Sequence, residues 1–428
     1  MRNILQSILA VLARIMLRRY RPTVIGITGN VGKTSTKDAI AAVLGARFSV
    51  RKSEKSYNNE LGVPLTVLGI TSGGKNVFGW LARFFLAAVR LIGTRYPRVL
   101  VLEMGVDKPN DMEYLLGIVK PDIAVFTSLG DMPVHVENFI SREALVTEKL
   151  KLASAVSPRG HVVYNADVAS WQSIKGKTKA TLVTYGFSEH ADVRISPPET
   201  RFAVSGAGSV PLGIACKIQH KGSIVPFRLD GVMATDGAYL AGAACAVGSI
   251  LGMHLVDMAS AFGQYAPPRG RLRLLDGIRG SLILDDTYNS SPSSLDVALA
   301  ALGSLPARRR IAVMGDMLEL GGFTERAHRE MGEKASKMCD VVYVVGLKTK
   351  FAYDELVGRN FKPGENLFSF STSQEAAQAI YPAVKEGDMI LVKGSQGMRM
   401  EKVVKEILAE PEHAENLLVR QDPKWLKI

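Results

Sequence analysis

Thr28-Gly29-Asn30-Val31-Gly32-Lys33-Thr34-Ser35 has the residue types of a phosphate cradle. Glycines let backbone N–H groups come close to phosphate oxygens, and a helix start behind the loop adds positive dipole character. Lys33 supplies a point charge for β/γ phosphates, and the Thr34 hydroxyl is placed to hold a Mg²⁺ ion. The stretch departs from the general G-x-x-x-x-G-K-[ST] pattern at its first position, where Ile27 stands. Taken alone, it leaves an ordinary strand-to-helix turn open.

Further candidates stand where strand-like runs end. Glu103 closes Val99-Leu100-Val101-Leu102 and precedes Met104-Gly105. Ligands of open α/β sheets sit at such C-terminal strand ends, so Glu103 is placed to complete a metal shell with Thr34. A solvated strand-end glutamate is the competing reading. Asp122 and Asp131 flank the next run, Ile123–Thr127, and His135 and Glu137 alternate with apolar residues beyond it. A lone histidine of this kind is more often structural. Lys149 lies in the helical stretch Arg142–Ala153, inside Glu148-Lys149-Leu150-Lys151, which by composition reads as a solvated face. In the second half, Asp285-Asp286-Thr287-Tyr288-Asn289, Gly315-Asp316-Met317 (with His328 beyond it) and Lys393-Gly394-Ser395 all follow strand-like runs. Together they make one polar rim facing a phosphate loop, which points to closure of two domains over substrates.

The elements that must position these groups are legible as alternating strand and helix patterns. Val24–Ile27, Val99–Leu102 and Ala124–Thr127 are short β-branched runs without alternation, the pattern of buried parallel strands, and helical stretches lie between them. Over residues 181–232 the runs Thr181–Tyr185, Val193–Ile195, Phe202–Val204 and Ile224–Leu229 are more polar and turn-punctuated, which predicts an antiparallel patch. Ala234–Leu251 reads as a small-residue helix. Pro267-Pro268-Arg269-Gly270-Arg271 breaks any helix, and a second strand-helix series follows: Ser281–Asp285, Arg310–Met314, Val341–Val345 and Met389–Val392. The expected fold class is α/β: a P-loop central domain with a mostly parallel sheet, plus a C-terminal Rossmann-like domain.

Length and composition fit this. The chain has 428 residues, 47% hydrophobic and 22% charged, enough for two or three globular domains. Cys216, Cys245 and Cys339 are widely spaced, which speaks against a disulfide framework or a zinc site and suits a reducing cytoplasm. The net charge of +12 comes without an interleaved aromatic-basic stretch, so nucleotide substrates and a membrane-facing patch account for it and nucleic acid does not. Two basic, apolar stretches bear on the membrane. Ile4, Leu5, Ile8, Leu9, Leu12, Ile15 and Met16 repeat at helical spacing among Arg2, Arg14, Arg18, Arg19 and Arg21, and Val77–Ile92 is apolar except for Arg83 and Arg90. The first is too short to span a bilayer. It fits either a helix lying on the cytoplasmic leaflet or one packed on the protein's own core; for the second, a buried or self-associating helix is the more common explanation, with peripheral membrane contact beside it.

Thr28–Ser35, Asn58–Leu65, Glu103-Met104-Gly105, His135–Phe139, Asp286–Pro292, Gly315–Gly321 and Lys393-Gly394-Ser395, in this order over residues 22–405, resemble the Mur ligase family, and within it the branch that adds D-alanyl-D-alanine to a UDP-muramoyl tripeptide. That family's loop is typically T-G-x-x-G-K-[ST], which accommodates Ile27. The basic amphipathic helix read over 1–21 stands ahead of the motifs, and the resemblance implies a central ATP-binding domain over 22–266 and a C-terminal ligase domain over 267–428. It implies an ATP-dependent amide-bond ligase with two Mg²⁺ ions, working through an acyl phosphate in peptidoglycan synthesis. Its partners would be ATP, a peptide or UDP-muramoyl-peptide carboxylate, and an amino-acid or dipeptide amine. Thr28, Gly29, Asn30, Gly32, Lys33, Thr34 and Ser35 would hold the nucleotide phosphates, with Thr34 and Glu103 on one Mg²⁺ and His135 on the second. Lys149 matches the lysine that becomes a carbamate near that metal. Tyr288 and Asn289 would meet adenine or ribose, Arg269 or Arg271 the phosphates, and Asp316 the nucleotide. Asn58, Asn59, His328 and Lys393 would serve the substrates. Relatives of this branch carry an N-terminal recognition domain ahead of the phosphate loop, where this sequence has only the basic helix, so the chemistry is better marked than the donor substrate. A folylpolyglutamate- or cyanophycin-synthetase-like ligase shares the fold and chemistry. A membrane-associated nucleotide-binding scaffold without catalysis would not be expected to keep Lys33, Glu103, His135 and Lys149 together.

Overall fold

The computed structural model describes residues 2–54, 58–74, 76–130, 138–205, 208–422 and 425. The apolar β-branched runs form the centre of a sheet whose strands are β1 (Thr23–Thr28), β2 (Val50–Lys52), β3 (Val99–Glu103), β4 (Ile123–Phe126), β5 (His161–Asn165), β6 (Thr181–Gly186), β7 (Val193–Ile195), β8 (Glu199–Ser205), β9 (Gly208–His220) and β10 (Ser223–Asp230). Their order is β10-β9-β7-β6-β5-β4-β1-β3-β2, with β8 paired to β9. β1 lies between β3 and β4, parallel to both, and its register sets Ile27 opposite Glu103. That pairing brings the phosphate loop and the Glu103 strand end to one edge.

Helices cover both faces of this sheet. α1 (Arg2–Tyr20), α3 (Gly62–Leu68), α5 (Asp111–Ile118) and α6 (Arg142–Ser154) share one apolar core, and α2 (Lys33–Gly45), α7 (Ala238–Ile250) and α8 (Leu255–Phe262) share the other. α4 (Val77–Ile92) lies at the rim of the first core, where Trp80, Phe84 and Leu91 pack against it. α1 is not a free appendage: Leu9, Ala13 and Met16 are fully buried, while Ile4, Ile8, Val11 and Ile15 face outward. Among the described residues no helix is long and apolar enough to cross a membrane.

The chain passes to a second sheet between Phe262 and Arg273, the stretch that holds Pro267-Pro268. Its strands are β11 (Arg273–Asp276), β12 (Leu282–Asp286), β13 (Arg309–Gly315), β14 (Val341–Val345), β15 (Leu367–Phe370) and β16 (Asp388–Lys393), in the order β11-β12-β16-β13-β14-β15. Only β11 runs antiparallel to its neighbour. α9 (Pro292–Ser304) begins on a Ser291 capping box with proline in its first turn, and α10 (Thr324–Met338) follows β13.

The expected antiparallel patch starts later than its sequence pattern predicts. Thr181–Tyr185 becomes β6 and extends the parallel sheet beside β5, and β7 also joins β6 in parallel. The antiparallel part is built on β9, a 13-residue strand that pairs with β7, β8 and β10. Pro211 and Gly213 obscure β9 in the sequence. Pro211 lies opposite Phe202, where the β8 register shifts, a position at which a strand tolerates a missing N–H.

Candidate active site

The loop after β1 ends on Gly32, which starts α2 from a left-handed conformation at φ 81°. Gly29, at φ 141°, lies so close to Thr127 that a Cβ there would sit 2.1 Å from its Oγ1. The turn therefore needs glycine at both positions, the first for contact and the second for backbone sign. The loop is braced from β4: Asn30 and Val31 N–H groups donate to the Ser128 carbonyl at 2.9 and 3.1 Å, and Thr127 Oγ1 donates to the Val31 carbonyl at 2.8 Å. Two buried polar atoms, Thr28 Oγ1 and the Asn30 amide Nδ2, have no partner. Unpartnered buried donors cost free energy unless a ligand meets them.

Lys33 Nζ folds over the loop to the Gly29 and Asn30 carbonyls at 3.1 and 3.2 Å. Burial pushes its ammonium below the ordinary lysine value, opposed by Glu103 and deepened by Arg271. Thr34 Oγ1 donates to Glu103 Oε2 at 2.8 Å, and Glu103 is buried. The expected partners of one metal ion thus touch. Two hard oxygens at the mouth of a phosphate loop fit Mg²⁺, which takes one or two protein groups and fills its shell with substrate phosphates and water. No larger cluster of metal-binding side chains is formed among the described residues. His135, expected on a second ion, lies outside the described residues, as do Asp131 and Glu137.

Lys149 is buried on α6, and its Nζ donates to the Gly29 carbonyl at 3.2 Å. Desolvation, with Lys33 nearby, pushes its amine down to about 7. The solvated-face reading of its neighbourhood does not hold. Glu148 is buried too, with Oε1 accepting the Met112 N–H and Oε2 paired to Lys151.

A cavity of about 400 Å³ opens in front of the loop, walled by both sheets. From the first half it takes Asn30, Gly32 to Ser35, Asn58, Glu103 and Lys149; from the second Asp286, Tyr288, Asn289 and Gln396. Thr28 and Gly29 are buried and do not line it. Arg271, in the connecting stretch, lines the cavity with its guanidinium 4.0 Å from the centre of the Tyr288 ring. It lowers the pKa of Lys33, and Lys33, Lys149 and Arg271 all line the cavity. A polyphosphate is the ligand such a field fits.

The remaining expected residues do not all reach this cavity. Lys393 is buried behind it, paired with Asp286 at 2.5 Å and donating to the Asn289 carbonyl at 3.0 Å, so it orients the rim. Arg269 points away and donates to the Glu415 carbonyl, leaving Arg271 as the interdomain arginine. Asp316 accepts the Lys348 and Thr349 N–H groups and ties the loop after β14. His328 is fully buried, with Nε2 accepting the Met317 N–H at 3.1 Å and Nδ1 paired to the Thr324 carbonyl at 2.7 Å. Both ring nitrogens are occupied within the protein, and burial pushes its pKa down. Asn59 accepts the Leu61 and Gly62 N–H groups in the turn before α3, while its neighbour Asn58 lines the cavity. Asp107, which no motif singled out, lines the cavity and raises the pKa of both Lys33 and Lys149. The signal available for it was its place in the loop after Glu103.

A model of the Mur ligase middle domain matches residues 86–218, and one of the Mur ligase, glutamate ligase domain matches residues 270–396. The chain is 29% identical over 408 residues to a UDP-N-acetylmuramoyl-tripeptide–D-alanyl-D-alanine ligase of Bacillus subtilis, covering 94% of this chain and 79% of that one. The ligase of the same name from Escherichia coli K12 is 26% identical over 395 residues, covering 89% and 76%. Among solved structures, the MurF ligase of Thermotoga maritima in complex with ADP superposes with a TM-score of 0.75 at 25% identity, covering 95% of this chain and 84% of that one.

Proposed function

Because the chain belongs to the Mur ligases, which are ATP-dependent, we propose that it joins D-alanyl-D-alanine to a UDP-muramoyl tripeptide in peptidoglycan synthesis. The observation that carries this reading is the Thr34–Glu103 contact at the mouth of a cavity lined from both halves of the chain. In the reaction, a substrate carboxylate oxygen attacks the γ-phosphorus of ATP, giving an acyl phosphate and ADP. The amine then attacks the acyl carbon, phosphate leaves, and the amine loses a proton. Catalysis here is positioning and charge stabilisation.

The chain's own groups have separable tasks in this proposal. Lys33, Arg271 and the loop N–H groups bind phosphate oxygens, and Thr34 with Glu103 would hold Mg²⁺, which would neutralise the phosphate charge. His135 would serve a second ion. A buried amine pushed down to about 7 has a substantial neutral fraction near neutral pH, which supports conversion of Lys149 to a carbamate by CO₂ with loss of one proton. Tyr288 and Asn289 would meet the nucleoside, and Asn58 the substrate side. The reading places the protein in the cytoplasm, where its three cysteines stay free and buried. It includes peripheral contact with the inner face of the membrane, supported by the outward apolar residues of α1 and α4.

The test is phosphate release from ATP with UDP-muramoyl tripeptide and D-alanyl-D-alanine. Turnover that needs both substrates and disappears in Lys33→Ala is expected. Turnover only with glutamate as the amine would replace this reading with the folylpolyglutamate-like one.

A further inference from the structure

α4 turns an unbroken apolar strip to solvent: Phe78, Leu81, Phe85, Leu86, Val89 and Ile92, with Phe78 and Ile92 each 79% exposed and Phe85 72%. These positions recur at helical spacing, so they share one face. The two charges of the helix lie on the opposite side. Arg90 donates to the Leu68 carbonyl at 3.1 Å and also to that of Gly69, and Arg83 reaches Thr71 Oγ1 at 3.4 Å. On α1, Ile4, Ile8, Val11 and Ile15 form a second exposed strip. The C-terminal ends of the two helices meet: Tyr20 OH donates to the Arg90 carbonyl at 2.7 Å and Arg19 to that of Ile92 at 3.4 Å. Folded chains rarely leave contiguous apolar surface of this kind without a partner.

The charge around the strips selects the partner. Residues 1–37 and 61–102 contain no Asp or Glu, and these stretches hold both helices. Arg14, Arg18, Arg19, Arg21, Arg95 and Arg98 are exposed around them. Arg14, Arg18 and Arg21, with Lys120 and one carboxylate, Asp122, also line a cavity of about 530 Å³ at the foot of α1, so its balance is positive. A second copy would bring the same arginines against each other. A spanning role is closed to α4, since 16 residues rise only about 24 Å against about 30 Å of hydrocarbon. We infer that the α1/α4 face docks in the interface of an anionic lipid bilayer, with the strips in the acyl boundary and the arginines on headgroup phosphates. This gives the peripheral contact proposed above a specific face and lipid chemistry, and it stands independently of the ligase reaction.

The test is co-sedimentation of the full chain with vesicles of phosphatidylglycerol and phosphatidylethanolamine, against phosphatidylcholine vesicles, with sedimentation velocity in the absence of lipid. The wild type is expected to partition onto the anionic vesicles and to be released as salt rises. Phe78→Ser/Phe85→Ser loses tenfold or more of that partition, and Arg14→Glu/Arg18→Glu at least about thirtyfold. All four sites are exposed, so both variants should fold, and Phe78→Ser/Phe85→Ser should keep its ATP turnover with soluble substrates. No co-sedimentation overturns the inference. So does lipid-free self-association that the phenylalanine pair abolishes, which would make the face a contact between copies. Vesicle binding that persists in Lys33→Ala, or in a chain that never turns over, supports docking and leaves any failure with the ligase reading.

Discussion

Replacing Glu103 with glutamine isolates one charge at the Thr34 contact. The amide oxygen of Glu103→Gln can still accept the Thr34 hydroxyl that now lies 2.8 Å from Oε2, and the side chain keeps its volume in a buried position. Local structure is therefore preserved while the carboxylate is lost. Removing a group one shell out from a metal costs roughly 10–100-fold in affinity, and a direct ligand should cost no less. The half-saturating Mg²⁺ concentration for ADP formation is thus expected to rise by at least about tenfold, or about 1.4 kcal/mol. Glu103 is assigned to the metal and not to the phosphates, so nucleotide affinity measured without Mg²⁺ should change far less. The assay is ADP release over a Mg²⁺ titration at saturating ATP, with circular dichroism to check the fold. A half-saturation point within twofold of wild type would refute the assignment of Glu103 to the metal.

Three further outcomes follow from named contacts. His328→Ala leaves the Met317 N–H unpaired, so it should lower stability by roughly 1–3 kcal/mol with an unchanged KM for the amine; a raised KM at unchanged Tm would restore a substrate role. The Asp285 carboxyl is pushed up to about 6, chiefly by burial. Its stabilising contribution is thus complete below about pH 4 and lost as pH rises through 6, and Asp285→Asn should gain up to roughly 3 kcal/mol over wild type at pH 7.5 and little at pH 4. Urea unfolding at both pH values checks this, and an equal difference at both would contradict it. For Lys149, wild-type protein in ¹³C-bicarbonate at pH 8 should give a carbamate carbon resonance that Lys149→Arg lacks, and its absence from wild type would remove the carbamate.

The chemistry was legible wherever local sequence decides local geometry. A strand, a turn needing Gly29 and Gly32, and a helix start made the phosphate loop readable, and Glu103 followed because parallel strands deliver their ends to one edge. What long-range packing decides was not legible. His328 and Asp316 look like site residues by type and position, yet their polar atoms are taken up by Met317, Thr324, Lys348 and Thr349. Lys149 looks solvated by composition and is buried because α6 turns it under the loop. The two arginines of α4 suggested a basic membrane face, but Arg90 donates to the Leu68 carbonyl and Arg83 to the Thr71 hydroxyl, away from the exposed apolar strip. β9 was hidden by Pro211 and Gly213, residues that speak against a strand unless a bulge absorbs them.

Met233 belongs to the first half by sequence, yet its side chain is buried in an apolar core otherwise made of residues from the second half. Together with the Val232–Arg273 bridge and Gly130 packed against Ser293, it joins the two halves, whose other apolar clusters each stay on their own side. Halves with mostly separate cores are expected to melt separately. A nucleotide gripped from both sides adds its binding free energy only when both halves are folded. Heating the protein alone should therefore give two calorimetric transitions that merge as ATP is added, so that the substrate serves as the mortar of the molecule.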